Sequence, residues 1–546
     1  MKKAWWKESV IYQIYPRSFY DSNGDGIGDL KGITQKLPYL AELGVDVLWL
    51  SPIFKSPNDD NGYDISDYYN IMDEFGTMSD FDEMLSQAHA LGLKIVLDLV
   101  VNHSSDEHSW FQESRKSADN PYSDYYIWQK EKPNNWQAFF GGDAWTYDEV
   151  RGEYYLHYFT VKQPDLNWEN EKLRNEIHQL MKFWFDKGID GFRMDVIPFI
   201  SKNWDFPPAT SDNYMETVTN IYANGPRLHE FLNEMYEKVT SNYDVFTVGE
   251  GVGVPKELAN LYVGKNRREL NMIYHFDHLF LGLKNGNRFD FEDWKLTELK
   301  AAFREWHEAL GDDGWVNLCL DNHDFPRMLS RYGNDGTYRN ESAKLLAIML
   351  LTMRGTPCIY QGTEIGMGNV AFPSLADYDD VETKNFIKIK SAEGMPEKEM
   401  LWRVQKGGRD NARTPVQWDD SENAGFTTGQ PWLKLNPNYK EINVKNALGE
   451  KNSIFYFYQK LLSLRKEHKT LIYGDYHEII PDHEDIYAYQ RFDENNKYLV
   501  VLNFSEKEIS LKYLTGLINA EIIIANYNDV KVDFLNPWEG RVYKID

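Results

Sequence analysis

The chain has 546 residues, 42% hydrophobic and 26% charged, which marks a globular protein with ample material for a large core. Its 85 acidic side chains outnumber 59 basic ones, a formal charge of −26, and such a surface repels nucleic-acid phosphates and anionic lipid. Two cysteines cannot staple a chain of this size, the opening residues lack the apolar run of a signal peptide, and no apolar stretch is long enough to span a bilayer. The expectation is a soluble cytoplasmic protein with neither nucleic-acid nor membrane partners.

In chain order, eight short apolar runs alternate with helix-like segments. The runs cover 10–15, 45–50, 94–100, 190–196, 245–250, 272–276, 315–320 and 355–360. They are too apolar for a sheet with one wet face and too short for helices, so they predict buried parallel strands. Segments 80–91 and 171–187 have helical periodicity and stop at Gly92 and Gly188, as capped helices do. Eight such strands with intervening helices predict an α/β fold, the (β/α)8 TIM barrel. Residues 104–170 are too long for a loop and read as a small domain inserted after strand three. Residues 362–429, after strand eight, read as a polar, irregular excursion. From 473 onward, alternating runs at 486–492, 497–504, 521–527 and 541–545 predict a C-terminal antiparallel β-sandwich domain. The barrel then takes 1–103 and 171–472.

Catalysis in a barrel belongs to the C-terminal ends of the strands. Four of those ends are rich in polar residues: Asp98–His103, Arg193–Asp195, Glu250, and Asp321–Asp324. A lone carboxylate leaving a strand commonly caps the next helix, but carboxylates on four strand ends converge on one rim. Two carboxyl groups there suit the hydrolysis of an acetal, one protonated to expel the leaving oxygen and one ionised to meet the sugar cation. Arg193 precedes Asp195 by two residues on the same strand face and predicts an ionised Asp195. Glu250 has only glycines beside it and is the candidate proton donor. His103 and His323 suit hydrogen bonding to hydroxyls, since neither has the spacing of a zinc ligand. Asp21-Ser22-Asn23-Gly24-Asp25-Gly26-Ile27-Gly28-Asp29 places oxygen side chains at alternate positions with glycine sixth, the first half of a calcium loop. Position twelve is Gly32 instead of Glu, so a metal-free turn is the other reading.

These motifs, with the opening Trp5–Phe19, Gln163–Trp168 and Gly408–Pro415, resemble the α-amylase superfamily of retaining glycoside hydrolases, family 13. Within it the sequence is similar to the oligo-1,6-glucosidase, isomaltase and dextran glucosidase branch, over essentially the whole chain. The resemblance implies an exo-acting α-glucosidase that releases α-glucose from the non-reducing end of short oligosaccharides, with an α-1,6 preference. It implies Asp195 as nucleophile, Glu250 as acid/base, and Asp324 as the carboxylate that grips the 2- and 3-hydroxyls. Asp60, Tyr63, His103, Arg193, His323 and Arg409 match residues around the non-reducing glucose, and Val196 matches a residue that favours α-1,6 linkages. A structural Ca2+, or Mg2+, is implied on Asp21, Asn23, Asp25, the Ile27 carbonyl and Asp29.

Other members of the same family remain open as readings: a sucrose isomerase or transglucosylase, a broad α-1,4-acting glucosidase, and a trehalose-6-phosphate hydrolase. Isomerases of the family carry an arginine-rich loop after strand six, where 280–289 offers only Lys284 and Arg288. No basic phosphate pocket is evident. A non-catalytic relative would lack part of the Asp195, Glu250 and Asp324 set. Gly251, Phe325 and Pro198 depart from the usual pattern and are expected to line or support the acceptor side.

Overall fold

The computed structural model describes residues 3–514 and 520–545. Met1 and Lys2, the first of the opening residues discussed above, lie outside the described residues.

Eight parallel strands form the centre: β1 (Ile11–Ile14), β2 (Val47–Leu50), β3 (Lys94–Leu99), β4 (Gly191–Met194), β5 (Phe246–Glu250), β6 (Met272–Tyr274), β7 (Asn317–Leu318) and β8 (Thr356–Tyr360). Their order is β6-β5-β4-β3-β2-β1-β8-β7, and a parallel bridge between Ile273 and Val316 closes the ring. The chain is therefore a (β/α)8 barrel. Period-two alternation builds its core and its site together. Val47, Val96 and Val248 fill the interior with Ile11, Phe246, Met272 and the free cysteines Cys319 and Cys358. Two residues further along the same strands, Trp49, Asp98 and Glu250 come up at the C-terminal mouth.

The surrounding helices carry their own start and stop signals. Helix α1 (Met78–Ala90) opens with a Thr77–Asp80 capping box. Helix α2 (Glu171–Lys187) is capped by the Asn170 side chain and ends on Gly188 at φ 105°, a left-handed turn that glycine adopts without strain.

Two segments carry more regular structure than the sequence shows. The 104–170 insertion holds helix Ser109–Ser114 and a three-stranded sheet of Trp128–Gln129, Glu153–Leu156 and Trp145–Asp148. The 362–429 excursion holds helix α3 (Val381–Ala392) and helix Glu397–Gly407. Only Thr383 of α3 is buried, so it has no apolar stripe for periodicity to reveal. The β7 run shrinks to two residues because Cys319 onward already turns into the site loop.

The C-terminal strands are β9 (Asp475–Glu478), β10 (Ile486–Phe492), β11 (Lys497–Asn503), β12 (Glu521–Ala525) and β13 (Gly540–Ile545). They form an antiparallel sheet in the order β9-β10-β11-β13-β12. One face, with Tyr487, Tyr489, Val500 and Val542, joins the main core. The other, with Ile486, Ala488, Leu499 and Val501, packs on the Ile509–Ser510/Phe534–Leu535 ribbon through Leu535, which makes a two-layer sandwich.

Candidate active site

The strand ends open into a cavity of about 560 Å3, inside the usual range of about 300–1,000 Å3 for ligand pockets. Asp60, Tyr63, His103, Asp195, Val196, Glu250, His323, Asp324 and Arg409 all line it. Arg193 does not. It was expected to touch the ligand, but its side chain is fully buried behind the carboxylates. It lies one period below Asp195 on β4, too deep in the barrel to reach the cavity.

From there Arg193 organises the floor. Nη1 contacts Asp98 and Asp195, each at 2.7 Å, and Nη2 contacts Glu250 Oε2 at 2.6 Å. The Tyr274 hydroxyl accepts from Nη2 at 2.7 Å and from Nε at 3.1 Å. The sequence argument that Glu250 stands apart from any cation is thus corrected: β4 and β5 are neighbours, and the guanidinium crosses between them. Burial pushes the Asp195 carboxyl above the usual range, Arg193 pulls it down, and Glu250 and Asp98 push it up again. Burial likewise raises Asp98 to about 6 against Arg193. With three carboxylates around one guanidinium, full ionisation would leave two uncompensated charges in a dry site, which is why burial and mutual repulsion outweigh Arg193 at Asp98 and Asp195. Asp195 is followed by Val196 at φ 34°, a left-handed conformation that a β-branched residue rarely adopts. That turn aims the Val196 N–H at Glu250 Oε2, 2.9 Å away.

A second cation cluster holds Asp324. Arg409 Nη1 and Arg413 Nη2 donate to its Oδ1 at 3.2 and 3.1 Å, and His323 Nε2 lies 3.1 Å from Oδ2. Arg288 donates to its carbonyl. Burial alone would raise this carboxyl, but the Nε2–H of His323 and the Arg409 and Arg413 guanidiniums hold it well below the carboxylate range. Arg409 also bonds Asp60 at 3.0 Å and Asp380 at 2.6 Å, and its guanidinium lies 4.5 Å from the centre of the Phe140 ring. Burial lifts Asp60 to about 6 against the pull of Arg409.

The aromatic wall is built by stacking. Tyr63 lies parallel to His323, with ring centres 5.1 Å apart, and donates its hydroxyl proton to Asp98 at 2.9 Å. Gln13 holds His323 Nδ1 at 2.8 Å, which fits a neutral ring carrying its proton on Nε2. Burial lowers His323 and His103 each to about 3, so both are neutral hydrogen-bonding groups at neutral pH. Gln163 Nε2 bridges His103 and Asp60, each at 3.2 Å.

Sequence reasoning singled out neither Arg413 nor Asp380. Arg413 lies inside the quoted Gly408–Pro415 run, whereas Asp380 stands in an unpatterned stretch and had no signal. Gly251 does not line the cavity: a Cβ there would sit 2.6 Å from the Tyr274 carbonyl oxygen, so glycine is required by packing on β6. Phe325 does line it.

The Asp21–Asp29 loop lies apart from this cluster. Asp21, Asn23 and Asp25 each accept the backbone N–H two residues ahead, at 2.9, 2.8 and 2.9 Å. Asp29 caps the next helix through Gly32 N–H. Among the described residues no three acidic, histidine or cysteine side chains gather closely enough to hold a metal by themselves. Any cation here draws on Asn23 and a carbonyl as well, and the all-oxygen donor set suits a hard cation.

The α-amylase catalytic-domain model matches residues 13–474. The chain belongs to the α-amylase family of glycoside hydrolases. Oligo-1,6-glucosidase from Parageobacillus thermoglucosidasius is 56% identical, with all of both chains covered. Glucan 1,6-alpha-glucosidase from Streptococcus pneumoniae is 47% identical, with 99% of each chain covered. Among solved structures, a trehalulose synthase bound to Tris superposes with a TM-score of 0.96 at 45% identity, each chain covered completely. In an α-amylase family enzyme, a carboxylate-rich pocket at the barrel mouth is the place for a small oligosaccharide. Among the described residues no helix is long and apolar enough to cross a membrane.

Proposed function

We propose that this chain is a retaining, exo-acting α-glucosidase that cleaves α-1,6-linked glucose from the non-reducing end of short oligosaccharides. The observation that carries the reading is the convergence of Asp195 and Glu250 on one guanidinium beside a pocket closed by Arg409, Asp60 and Asp324. Two carboxyls that share Arg193 suit the closer retaining separation of about 5–5.5 Å, not the inverting one of about 6.5–9.5 Å. Asp195 attacks the anomeric carbon as the glycosidic C–O bond breaks, and Glu250 gives its proton to the departing oxygen. Glu250 then takes a proton from water, the water oxygen bonds to the same carbon, and the Asp195 ester is released as α-glucose. Asp324, held ionised by its cations, faces the positive ring and its hydroxyls, while Asp60, Tyr63, His103, His323 and Arg409 enclose the glucose. Arg193 positions the carboxylates.

The preference for α-1,6 bonds is supported by the two 1,6-glucosidase relatives and by Val196 at the cavity wall. The likeness to a trehalulose synthase favours one second reading, interception of the glucosyl-enzyme by a sugar. Arg288, the arginine in the loop after β6, is tied to Glu382 and to the Asp324 carbonyl, which leaves water as the favoured acceptor. We also propose one Ca2+, or Mg2+, on Asp21, Asn23, Asp25, the Ile27 carbonyl and Asp29. A cytoplasmic setting fits the two buried free thiols. The test is Glu250→Gln: natural disaccharides stall, while substrates with activated leaving groups retain glycosylation because they depart without a proton. Equal loss on both, or β-glucose as the first product by NMR, overturns the mechanism; isomerised sucrose as main product selects the second reading.

A further inference from the structure

Two excursions from distant parts of the sequence meet over the mouth of the cleft. One is the tip of the insertion. Ala138 N–H donates to the Gly142 carbonyl at 2.9 Å, and Gly141 N–H to the Ala138 carbonyl at 3.0 Å. The tip is thus a tight hairpin turning on Gly141 and Gly142, at φ 90° and 87°, which only glycine adopts without strain. Its base is fixed by Phe139, whose N–H bonds the Tyr158 carbonyl and whose ring stacks on Phe159. The other excursion is α3, anchored at its start by Asp380, which caps it and is bound to Arg409. Its far end is exposed.

The two are fastened by the Asn385 Nδ2–H, which donates to the Phe140 carbonyl at 3.1 Å. Beside this bond, Ile389 packs on Gly141 so closely that a Cβ there would lie 3.1 Å from its Cδ1. Phe140, Gly141 and Ile389 line the cavity, whereas Asn385 does not. The joint is therefore a clasp at the rim: firmly rooted on both sides, closed by one part-buried hydrogen bond and one exposed apolar contact. A cleft of about 560 Å3 encloses a short sugar. The rest of a longer chain leaves across the rim that the clasp narrows.

We propose that Asn385 is a specificity-determining residue, which limits the length of oligosaccharide accepted by holding the Phe140–Gly142 tip against α3. The proposal rests on the glucosidase reading above. Losing one such hydrogen bond shifts the balance of closed and open forms about five-fold.

The experiment measures kcat/KM of wild type, Asn385→Ala and Gly141→Ala on p-nitrophenyl α-glucoside, isomaltose and isomaltohexaose. Gly141→Ala presses a methyl against Ile389 and strains the tip, so it opens the clasp by a second route. The expected result is a rise of about five-fold in the isomaltohexaose-to-isomaltose ratio in both variants, with the p-nitrophenyl substrate within about twofold of wild type for Asn385→Ala, which lies outside the cavity lining. An unchanged ratio with the small substrate intact overturns the proposal. A fall on all three substrates also overturns it, because the joint would then support the glucose pocket instead of the rim. A wild type inactive on every glucoside defeats the glucosidase reading itself, a different outcome from either.

Discussion

Arg193→Met removes the one cation that Asp98, Asp195 and Glu250 share. At an effective dielectric of about 20, a contact ion pair is worth about 4 kcal/mol, or about three pKa units. The Asp195 carboxyl, already raised by burial, then climbs further. The nucleophile is ionised only at higher pH, so losing an ion pair of about 4 kcal/mol lowers kcat/KM on the acid limb by up to about a thousand-fold, with recovery as pH rises. Arg193→Lys keeps the charge but cannot hold Asp98, Asp195, Glu250 and Tyr274 at once, because an ammonium lacks the planar fork. It falls between wild type and Arg193→Met. The assay is the pH profile of kcat/KM on p-nitrophenyl α-glucoside, with circular dichroism and Tm recorded to separate activity from folding. An Arg193→Met enzyme that is folded, within about ten-fold of wild type at about pH 6, and unmoved in its acid limb refutes the electrostatic argument.

Three further outcomes are expected. Asp60 has its carboxyl raised from 3.8 to about 6, so its contribution to stability is full below about pH 4 and is lost as pH rises through about 6; the unfolding free energy of Asp60→Asn relative to wild type should therefore be more favourable above that window than below it, by about 3 kcal/mol, while activity falls. The check is a pair of thermal melts at the two pH values. Val196→Ala should narrow the kcat/KM preference for isomaltose over maltose by about ten-fold or more, and a wild type that favours maltose would contradict the steric reading of this wall residue. Chelation should lower Tm more than it lowers initial rate, since a cation on the Asp21–Asp29 loop stabilises the folded state away from the carboxylate cluster; an unchanged melt excludes it.

What the sequence made legible was periodic or local. The runs at 94–100 and 245–250 became β3 and β5 because buried parallel strands are almost continuously apolar. The rim residues His103, Asp195, Glu250 and Asp324 reach the cavity because alternation and strand ends place them there. What stayed hidden depended on contacts across strands. Glu250 looked isolated only because Arg193 belongs to the next strand. Gly251 was expected at the acceptor side and is a packing requirement, set by a carbonyl on β6. Asp380 reaches Arg409, behind the pocket wall, from the start of a helix with no apolar stripe, where periodicity has nothing to detect.

Arg409 draws Asp60, Asp324 and Asp380 to one point, although 349 residues separate it from Asp60. The wall of the pocket therefore closes a very long loop, since segments carrying residues 60 and 324 have to meet the β8 excursion that holds both Asp380 and Arg409. Asp195, Glu250 and Asp324 alone do not make the pocket; its wall depends on Arg409 as well. The same knot makes the fold its own quality check: the site exists only in molecules whose barrel has closed and whose β8 excursion has come back across the top.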